Sequence, residues 1–163
     1  MKISTQLSGI AGEYYVAAEL SRRGYLAAIT LRNSDGIDIL VSSYDGENMI
    51  SIQVKTTQGK KKWILNKKVE GEKSKNKFFI FVYIPISINE SPEYFIVNST
   101  VLASKTSEGH RRWLNESGKN GRVRKDSDAR QFDPRHYNTD ELVAGWEELI
   151  KLIEEEKTYA NIV

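Results

Sequence analysis

The sequence has 163 residues, of which 39% are hydrophobic and 28% charged, proportions typical of a globular protein long enough to bury a core. Cysteine is absent, which excludes disulfides, thiolate zinc sites and cysteine-held iron–sulfur clusters and fits a reducing, cytoplasmic setting. At this length we expect one domain over residues 1–163. No apolar stretch approaches the length of a membrane-spanning helix, so we expect no membrane partner.

The net charge of +2 hides an uneven distribution of charge along the chain. Residues 54–78 contain nine lysines and two glutamates, a local charge of +7, and residues 105–125 have a local charge of +5. Residues 139–163 have a local charge of −5. This division favours one positively charged face, although ordinary solvated loops would have the same composition.

The first half of the chain predicts one helix and three strands. Apolar residues recur at helical spacing from Thr5 to Arg23, and Gly24 ends the helix. Turn residues, including an Asp-Gly pair at 45–46, separate three strand-length segments, residues 25–31, 37–41 and 49–56.

The second half predicts two further strands, a basic insertion and a last helix. Residues 78–84 are apolar on both faces, as in a central strand covered from both sides, and residues 93–97 are the fifth strand. Residues 63–65 are a candidate short strand, and a short helix is expected from Ser99 to Ala103. Asn138 is expected to cap the last helix, with Glu141 completing a capping box.

The predicted fold class is therefore α/β, a central mixed five-stranded sheet flanked by helices. Its core covers about residues 6–98, a polar, poorly periodic basic insertion covers about 105–137, and the C-terminal helix covers about 139–157.

Common nucleotide-binding and hydrolase motifs are absent from the sequence. There is no phosphate-binding loop, no G-x-G-x-x-G and no G-x-S-x-G. His110 and His136 lack metal-ligand spacing, so surface or phosphate-contacting positions are favoured over a zinc site.

Four polar residues form the most informative set. Asp38 lies within an apolar strand, where an ionised carboxylate is costly unless it is paired or bound to metal. Gln53 and Lys55 share one face of the next strand, and Glu13 borders the apolar stripe of the first helix. These groups suit binding of Mg²⁺ and phosphate. Each residue also has a purely structural explanation. Asp38 and Lys55 can form a buried ion pair, Gln53 can make a cross-strand hydrogen bond, and Glu13 can be a solvated residue on the helix surface.

The order of these residues resembles a known family. The segments that carry the resemblance are Gly9-x-x-Gly12-Glu13, Leu20-x-x-x-Gly24-Tyr25, Ser34-x-Gly36-x-Asp38-Ile39 and Ile52-Gln53-Val54-Lys55. They look like the core of the PD-(D/E)xK nucleases, which have the restriction-endonuclease-like fold. Within that superfamily they are most similar to the archaeal Holliday-junction-resolvase-like branch and to related uncharacterised bacterial domains.

The resemblance implies a metal-dependent DNA endonuclease that uses Mg²⁺ or Mn²⁺. Glu13, Asp38 and Gln53 would bind the metal, and Lys55 would orient the attacking water and stabilise charge on the phosphate.

Two positions depart from the family pattern. Ile37 replaces a proline that has no catalytic atom, whereas Gln53 replaces a carboxylate. The second departure leaves open a nuclease-fold module that binds DNA without cleaving it, within a repair, defence or toxin-linked complex. Asp35 is a candidate for the missing charge, although a turn role is favoured.

The basic segments are the expected DNA surface, and a homodimer is expected because resolvase-like nucleases cut two strands. Trp113 is either a stacking platform for bases or an anchor of the insertion. The residues predicted to contact nucleic acid are Lys60, Lys61, Lys62, Lys67, Lys68, Arg111, Arg112, Arg122, Arg124 and Lys125.

Overall fold

Three helices and seven strands make up the part of the chain that the computed structural model describes, residues 2–31, 36–46 and 48–155. In chain order they are α1 (Thr5–Arg22), β1 (Leu26–Ile29), β2 (Ile39–Ser42), β3 (Met49–Thr57), β4 (Trp63–Asn66), β5 (Lys77–Tyr83), β6 (Glu93–Asn98), α2 (Ser99–Asn115), β7 (Ala129–Phe132) and α3 (Thr139–Glu155).

The five strands predicted for the central sheet form one sheet in the order β1-β2-β3-β5-β6. β3 and β5 pair in parallel, whereas the other neighbours pair antiparallel, so the sheet is mixed. The prediction of a mixed five-stranded sheet flanked by helices is confirmed. β3 occupies the centre because its alternating apolar side chains are covered on one face by a helix.

Each face of the sheet carries its own hydrophobic core. One core joins α1 and α3 to the sheet through Val16, Leu20, Leu149 and Ile153. The other core joins α2 and a small β4–β7 sheet to the opposite face. The side chains of β5 alternate between the two cores, Phe78, Ile80 and Val82 entering the first and Phe79 and Phe81 the second. This explains why the β5 segment is apolar on both faces.

α1 lies very close to β3 because Gly12 faces the strand. A Cβ atom at Gly12 would lie 1.9 Å from the Thr56 hydroxyl oxygen, so no larger side chain fits there without a shift of the helix. The buried residues of α1, namely Ser8, Gly12, Val16 and Leu20, recur every four residues, which places this face of the helix along the sheet.

The structure corrects two predictions for the second half of the chain. The helix beginning at Ser99 does not end at Ala103 but continues to Asn115, and β7 lies within the segment predicted to be irregular. α2 is held by its first half, where Leu102, Ala103 and Thr106 are buried, and its exposed second half needs no apolar stripe. The predicted strand at residues 63–65 is present as β4, paired with β7 rather than with the central sheet.

α3 begins at Thr139, directly after the predicted cap Asn138. The role of Asp35, the Glu141 side chain in the capping box and the last residues of the predicted helix, 156–157, lie outside the described residues. Within the described ranges, no helix combines the length and apolarity needed to cross a membrane.

Candidate active site and nucleic-acid interface

Asp38 is fixed to the central strand by main-chain hydrogen bonds at the point where β2 begins. Its N–H donates to the carbonyl of Ile52 at 2.9 Å, and the N–H of Val54 donates to Asp38 Oδ2 at 2.7 Å. β2 starts one residue later, so the Asp38 carboxylate supplies the partner that the Val54 N–H would otherwise lack. The carboxylate is thereby held against β3 in a defined position.

Gln53 and Lys55 lie on the face of β3 that is opposite to α1. They pair in register with Phe79 and Phe81 of β5, and neighbouring side chains in register share one face of a sheet. Both side chains are half-buried. β3 therefore presents an amide and an ammonium group within two residues of each other, on either side of Val54.

The purely structural roles considered for Asp38, Lys55 and Gln53 are not seen in the described part of the chain. There, Asp38 and Lys55 form no ion pair, and the side chain of Gln53 makes no hydrogen bond. The second carboxylate oxygen of Asp38 likewise has no partner among the described residues. Half-buried polar atoms without protein partners are the groups that a metal ion, water or substrate would engage.

The turn that leads into Asp38 lies against Gln53. Gly36 has a φ of +71°, and a Cβ atom there would lie 3.9 Å from both polar atoms of the Gln53 amide. The same position would lie 3.2 Å from the Lys77 ammonium. Glycine at this position therefore allows both a left-handed turn and close approach to the two side chains.

Lys77 is a residue of the site that sequence patterns missed. Its ammonium forms an ion pair with Glu72 at 2.6 Å and lies 5.7 Å from the ring centroid of Phe79. Only the strand register reveals its position, because Lys77 pairs with Ser51, two residues before Gln53 on β3. The Lys77 ammonium and the Gln53 amide therefore both lie against Gly36.

Glu13 lies on α1, the helix that packs on the other face of the sheet. It follows Gly12, the residue in contact with Thr56, and is half-buried beside the buried stripe of α1. Thr56 faces α1, whereas Gln53 and Lys55 face away from that helix. Asp38, Gln53 and Lys55 are brought to one region of β3, while Glu13 comes from a separate layer, and its role as a metal ligand stays a prediction.

The oxygen donors of the site suit a cation that keeps most of its water. In the described ranges, no group of three or more His, Asp or Glu side chains is arranged to hold a metal ion. Asp38 offers one carboxylate and Gln53 one amide oxygen. Mg²⁺ is commonly bound by one or two carboxylates with several waters, so this donor set fits a weakly held, water-rich ion.

The lysines predicted to contact nucleic acid before β5 are all exposed. Lys60, Lys61 and Lys62 follow β3 directly, and Lys67 and Lys68 begin the short 3₁₀ helix after β4. Lys61 is also engaged at the surface, since it pairs with Glu93 at 2.7 Å and lies 5.1 Å from the Tyr83 ring centroid. An exposed pair of this kind is weak and leaves the lysine able to bind phosphate.

The basic residues of the insertion divide into exposed and internally bonded groups. Arg111 and Arg112 on α2, and Arg122 and Lys125 after it, are exposed. Arg124 instead donates to the carbonyls of Trp113, at 2.7 Å, and Ser117, at 3.2 Å. Its role in binding DNA stays a prediction, but its guanidinium N–H groups already donate to main-chain carbonyls of the protein.

Trp113 serves as an anchor of this segment. The Arg124 guanidinium lies 4.9 Å from its ring centroid, and the His110 ring stacks on it at 5.5 Å. His110 also contacts Asp126 at 2.7 Å, and this hydrogen bond holds the pKa of the Asp126 carboxyl below its usual range. The indole is 42% exposed, but it packs against both the Arg124 guanidinium and the His110 ring, and these contacts favour the anchor interpretation.

A cavity of about 610 Å³ lies between α2 and β7, away from the polar set on β3. Its polar lining includes His110, Arg130 and Asp133, which are paired with Asp126, Glu70 and Arg135 respectively. Because these groups are satisfied within the protein, the cavity is a weaker candidate for chemistry than the Asp38 region.

Comparisons with known proteins identify similar backbones but no family. No protein-family model matches the sequence, and no curated protein matches it. Hjc, a Holliday junction resolvase from Archaeoglobus fulgidus, is similar with a TM-score of 0.44 and 13% identity, over 79% of this chain and 86% of that one. The bacterial homing endonuclease I-Ssp6803I is similar with a TM-score of 0.49 and 13% identity, over 96% and 99%. These likenesses concern the course of the backbone alone.

Proposed function

We propose that the chain is a DNA endonuclease that hydrolyses phosphodiester bonds with the help of Mg²⁺ or Mn²⁺. The observation that carries the proposal is the position of Asp38, whose carboxylate is bonded to the Val54 N–H between Gln53 and Lys55. A fixed anion bonded to β3, with an amide oxygen and an ammonium group on that strand, supplies parts that metal-assisted phosphate chemistry uses.

In this proposal Asp38 and Gln53 hold the ion, and Glu13 contributes directly or through a water molecule. The ion would lower the pKa of a bound water and polarise the phosphate. Lys55 orients the attacking water and stabilises negative charge on the phosphate oxygens, which increases in the transition state. Asp38 keeps its orientation because Val54 and Ile52 hold it from the main chain.

The basic residues of the two segments that follow the site in the chain would bind the DNA backbone. The five lysines from Lys60 to Lys68 and the exposed cations of the insertion supply a charge that attracts phosphate irrespective of sequence. A homodimer and a cytoplasmic location remain expectations of the proposal.

A second candidate function is a DNA-binding module that does not cleave. Gln53 favours it, because a neutral amide holds a hard cation less tightly than a carboxylate. The nearby Lys77 ammonium adds positive charge on the same side. Binding to DNA without cleavage under any metal would support this alternative.

The test is cleavage of a labelled duplex, a four-way junction and a single strand with Mg²⁺, Mn²⁺ or EDTA. The wild type should cut at least one substrate with metal and none with EDTA. Asp38→Asn should be inactive, because the change removes the charge but keeps an oxygen that accepts from Val54. Asp128→Asn, a change of an exposed aspartate elsewhere, should leave activity intact. Cleavage in EDTA, or by Asp38→Asn, would refute the proposal.

A further inference from the structure

The loop between β5 and β6, residues 84–92, presents an apolar tip to solvent. Ile88 is 96% exposed, more than any other large apolar side chain in the described ranges, and Ile86 is 55% exposed. Single exposed apolar residues are common on protein surfaces. Two isoleucines in three residues at the end of a hairpin form a small protruding apolar wedge instead.

This loop is tied to the end of β3. The N–H of Ile84 donates to the Thr57 carbonyl at 2.9 Å, and the Gln58 amide donates to the Pro85 carbonyl at 3.4 Å. The amide oxygen of Gln58 also accepts from the N–H of Ile3 at 3.0 Å. Three segments of the chain therefore meet at Gln58, which fixes the base of the loop.

Lysines are concentrated next to the segments that hold the base of the loop. Lys60, Lys61 and Lys62 are exposed in the segment that follows Gln58, and Lys2 is exposed beside Ile3. The hairpin itself contributes Glu90 and Glu93, of which Glu93 is paired with Lys61. Four lysines against two glutamates give the base of the loop a net positive charge.

A partner that fits this surface has anionic groups on its outside and apolar groups between them. Duplex DNA has this character, since phosphates flank a stack of flat bases, and proteins insert Ile, Leu or Phe between base steps to kink it. The base of the loop is also close to the proposed site. Thr57 is two residues beyond Lys55, about 7 Å along a strand, so one DNA molecule can contact both.

We propose that Ile88 inserts between bases of the DNA close to the phosphate that is cut. This proposal rests on the proposed function, because the same DNA occupies both places, and it specifies the substrate class. Insertion costs less where stacking is already weak, as at a junction, a mismatch or a pyrimidine–purine step, so DNA of that kind should be preferred.

The experiment uses duplexes with 2-aminopurine at successive positions, whose fluorescence rises when the base is unstacked, measured in EDTA. Wild-type protein should raise the fluorescence at one or two adjacent positions by about threefold or more. Ile88→Ala should abolish the rise while weakening DNA binding by less than about tenfold. Ile64→Ala, which truncates another exposed isoleucine on β4, should behave as wild type.

The outcomes separate the two proposals. A fluorescence rise without any cleavage in Mg²⁺ or Mn²⁺ would refute the nuclease and keep the wedge. Cleavage without a rise at any position, or an unchanged rise in Ile88→Ala, would overturn the wedge. Binding to phosphatidylserine vesicles that depends on Ile88, with no fluorescence rise on DNA, would assign the tip to a membrane surface and also overturn it.

Discussion

The carboxylate of Asp38 accepts a hydrogen bond from the Val54 main chain at 2.7 Å, which closes the β2–β3 ladder where β2 begins. One side chain thus completes the sheet and supplies the proposed metal ligand. Stability and activity should therefore respond differently to two substitutions of the same residue.

Asp38→Ala should lower the free energy of unfolding by about 1–3 kcal/mol, because the Val54 N–H loses its partner. Asp38→Asn should lower it by less than about 1 kcal/mol, since the amide oxygen still accepts that hydrogen bond. Urea denaturation measures both values. Equal destabilisation by the two variants would mean that the charge, not the hydrogen bond, holds the strand end.

Lys55→Met should reduce the cleavage rate by about 100-fold or more and change the dissociation constant for DNA by less than about threefold, because Lys55 acts in the transition state. Single-turnover kinetics measures the cleavage rate, and fluorescence anisotropy measures the dissociation constant for DNA. Lys151→Met, at an exposed lysine on α3 outside the two basic segments, is the control. Cleavage unaffected by Lys55→Met would place the active site elsewhere.

Gln53→Glu should tighten Mg²⁺ binding, because it adds an anionic oxygen ligand at nearly unchanged size. The Lys77 ammonium near this side chain should further stabilise the new carboxylate. Calorimetric Mg²⁺ titration of Gln53→Glu and wild type tests this, with Gln131→Glu on β7 as a control. Gln53→Ala should lower activity. Cleavage that appears only in Gln53→Glu would identify the natural protein as a binding module.

DNA binding should weaken steeply with salt if the basic segments neutralise phosphates. The slope of log K against log salt should fall by about 0.9 for each phosphate that the protein no longer neutralises, so Lys61→Glu with Lys62→Glu should lower it by about 2. Arg111→Glu with Arg112→Glu should act similarly, whereas Lys151→Glu on α3 should change it little. Binding that is independent of salt would contradict this footprint.

Gly12→Ala should destabilise the protein by about 1–3 kcal/mol, because the new methyl group would overlap the Thr56 side chain. Gly9→Ala should instead stabilise it by about 0.5–1 kcal/mol, since alanine is the better helix former and a Cβ there has nothing within 4 Å. Thermal unfolding of both variants gives the comparison. Similar shifts in the two variants would argue against the close contact of α1 with β3.

The central sheet was predictable because its strands have local signatures. The alternation in β3 and the apolar run of β5 reflect burial on one face and on two faces respectively, and turn residues mark several of their ends. The choice of Asp38, which directly precedes β2, and of Gln53 and Lys55 on β3 followed from the same alternation. Their placement in one region depends on a short antiparallel connection that the sequence also indicated.

Other features depend on contacts between distant segments and have no local signature. The second half of α2 is exposed, so its sequence carries no helical apolar period beyond Thr106. Lys77 joins the site only through its register with Ser51 on a parallel strand. Ile88 resembles an ordinary loop residue until the exposed fraction of its side chain is known.

The β4–β7 pair has a consequence for how the two basic segments can vary. β4 lies within the first basic segment, residues 54–78, and β7 lies within the basic insertion, residues 105–137. Their pairing packs Trp63 and Phe132 onto Phe81 of the central sheet. Deletion of residues 105–137 would leave the edge of β4 unpaired and expose an aromatic cluster. The first basic segment and the basic insertion should therefore be inserted, deleted or transferred to another protein together. A chimera that carries only one of them should aggregate.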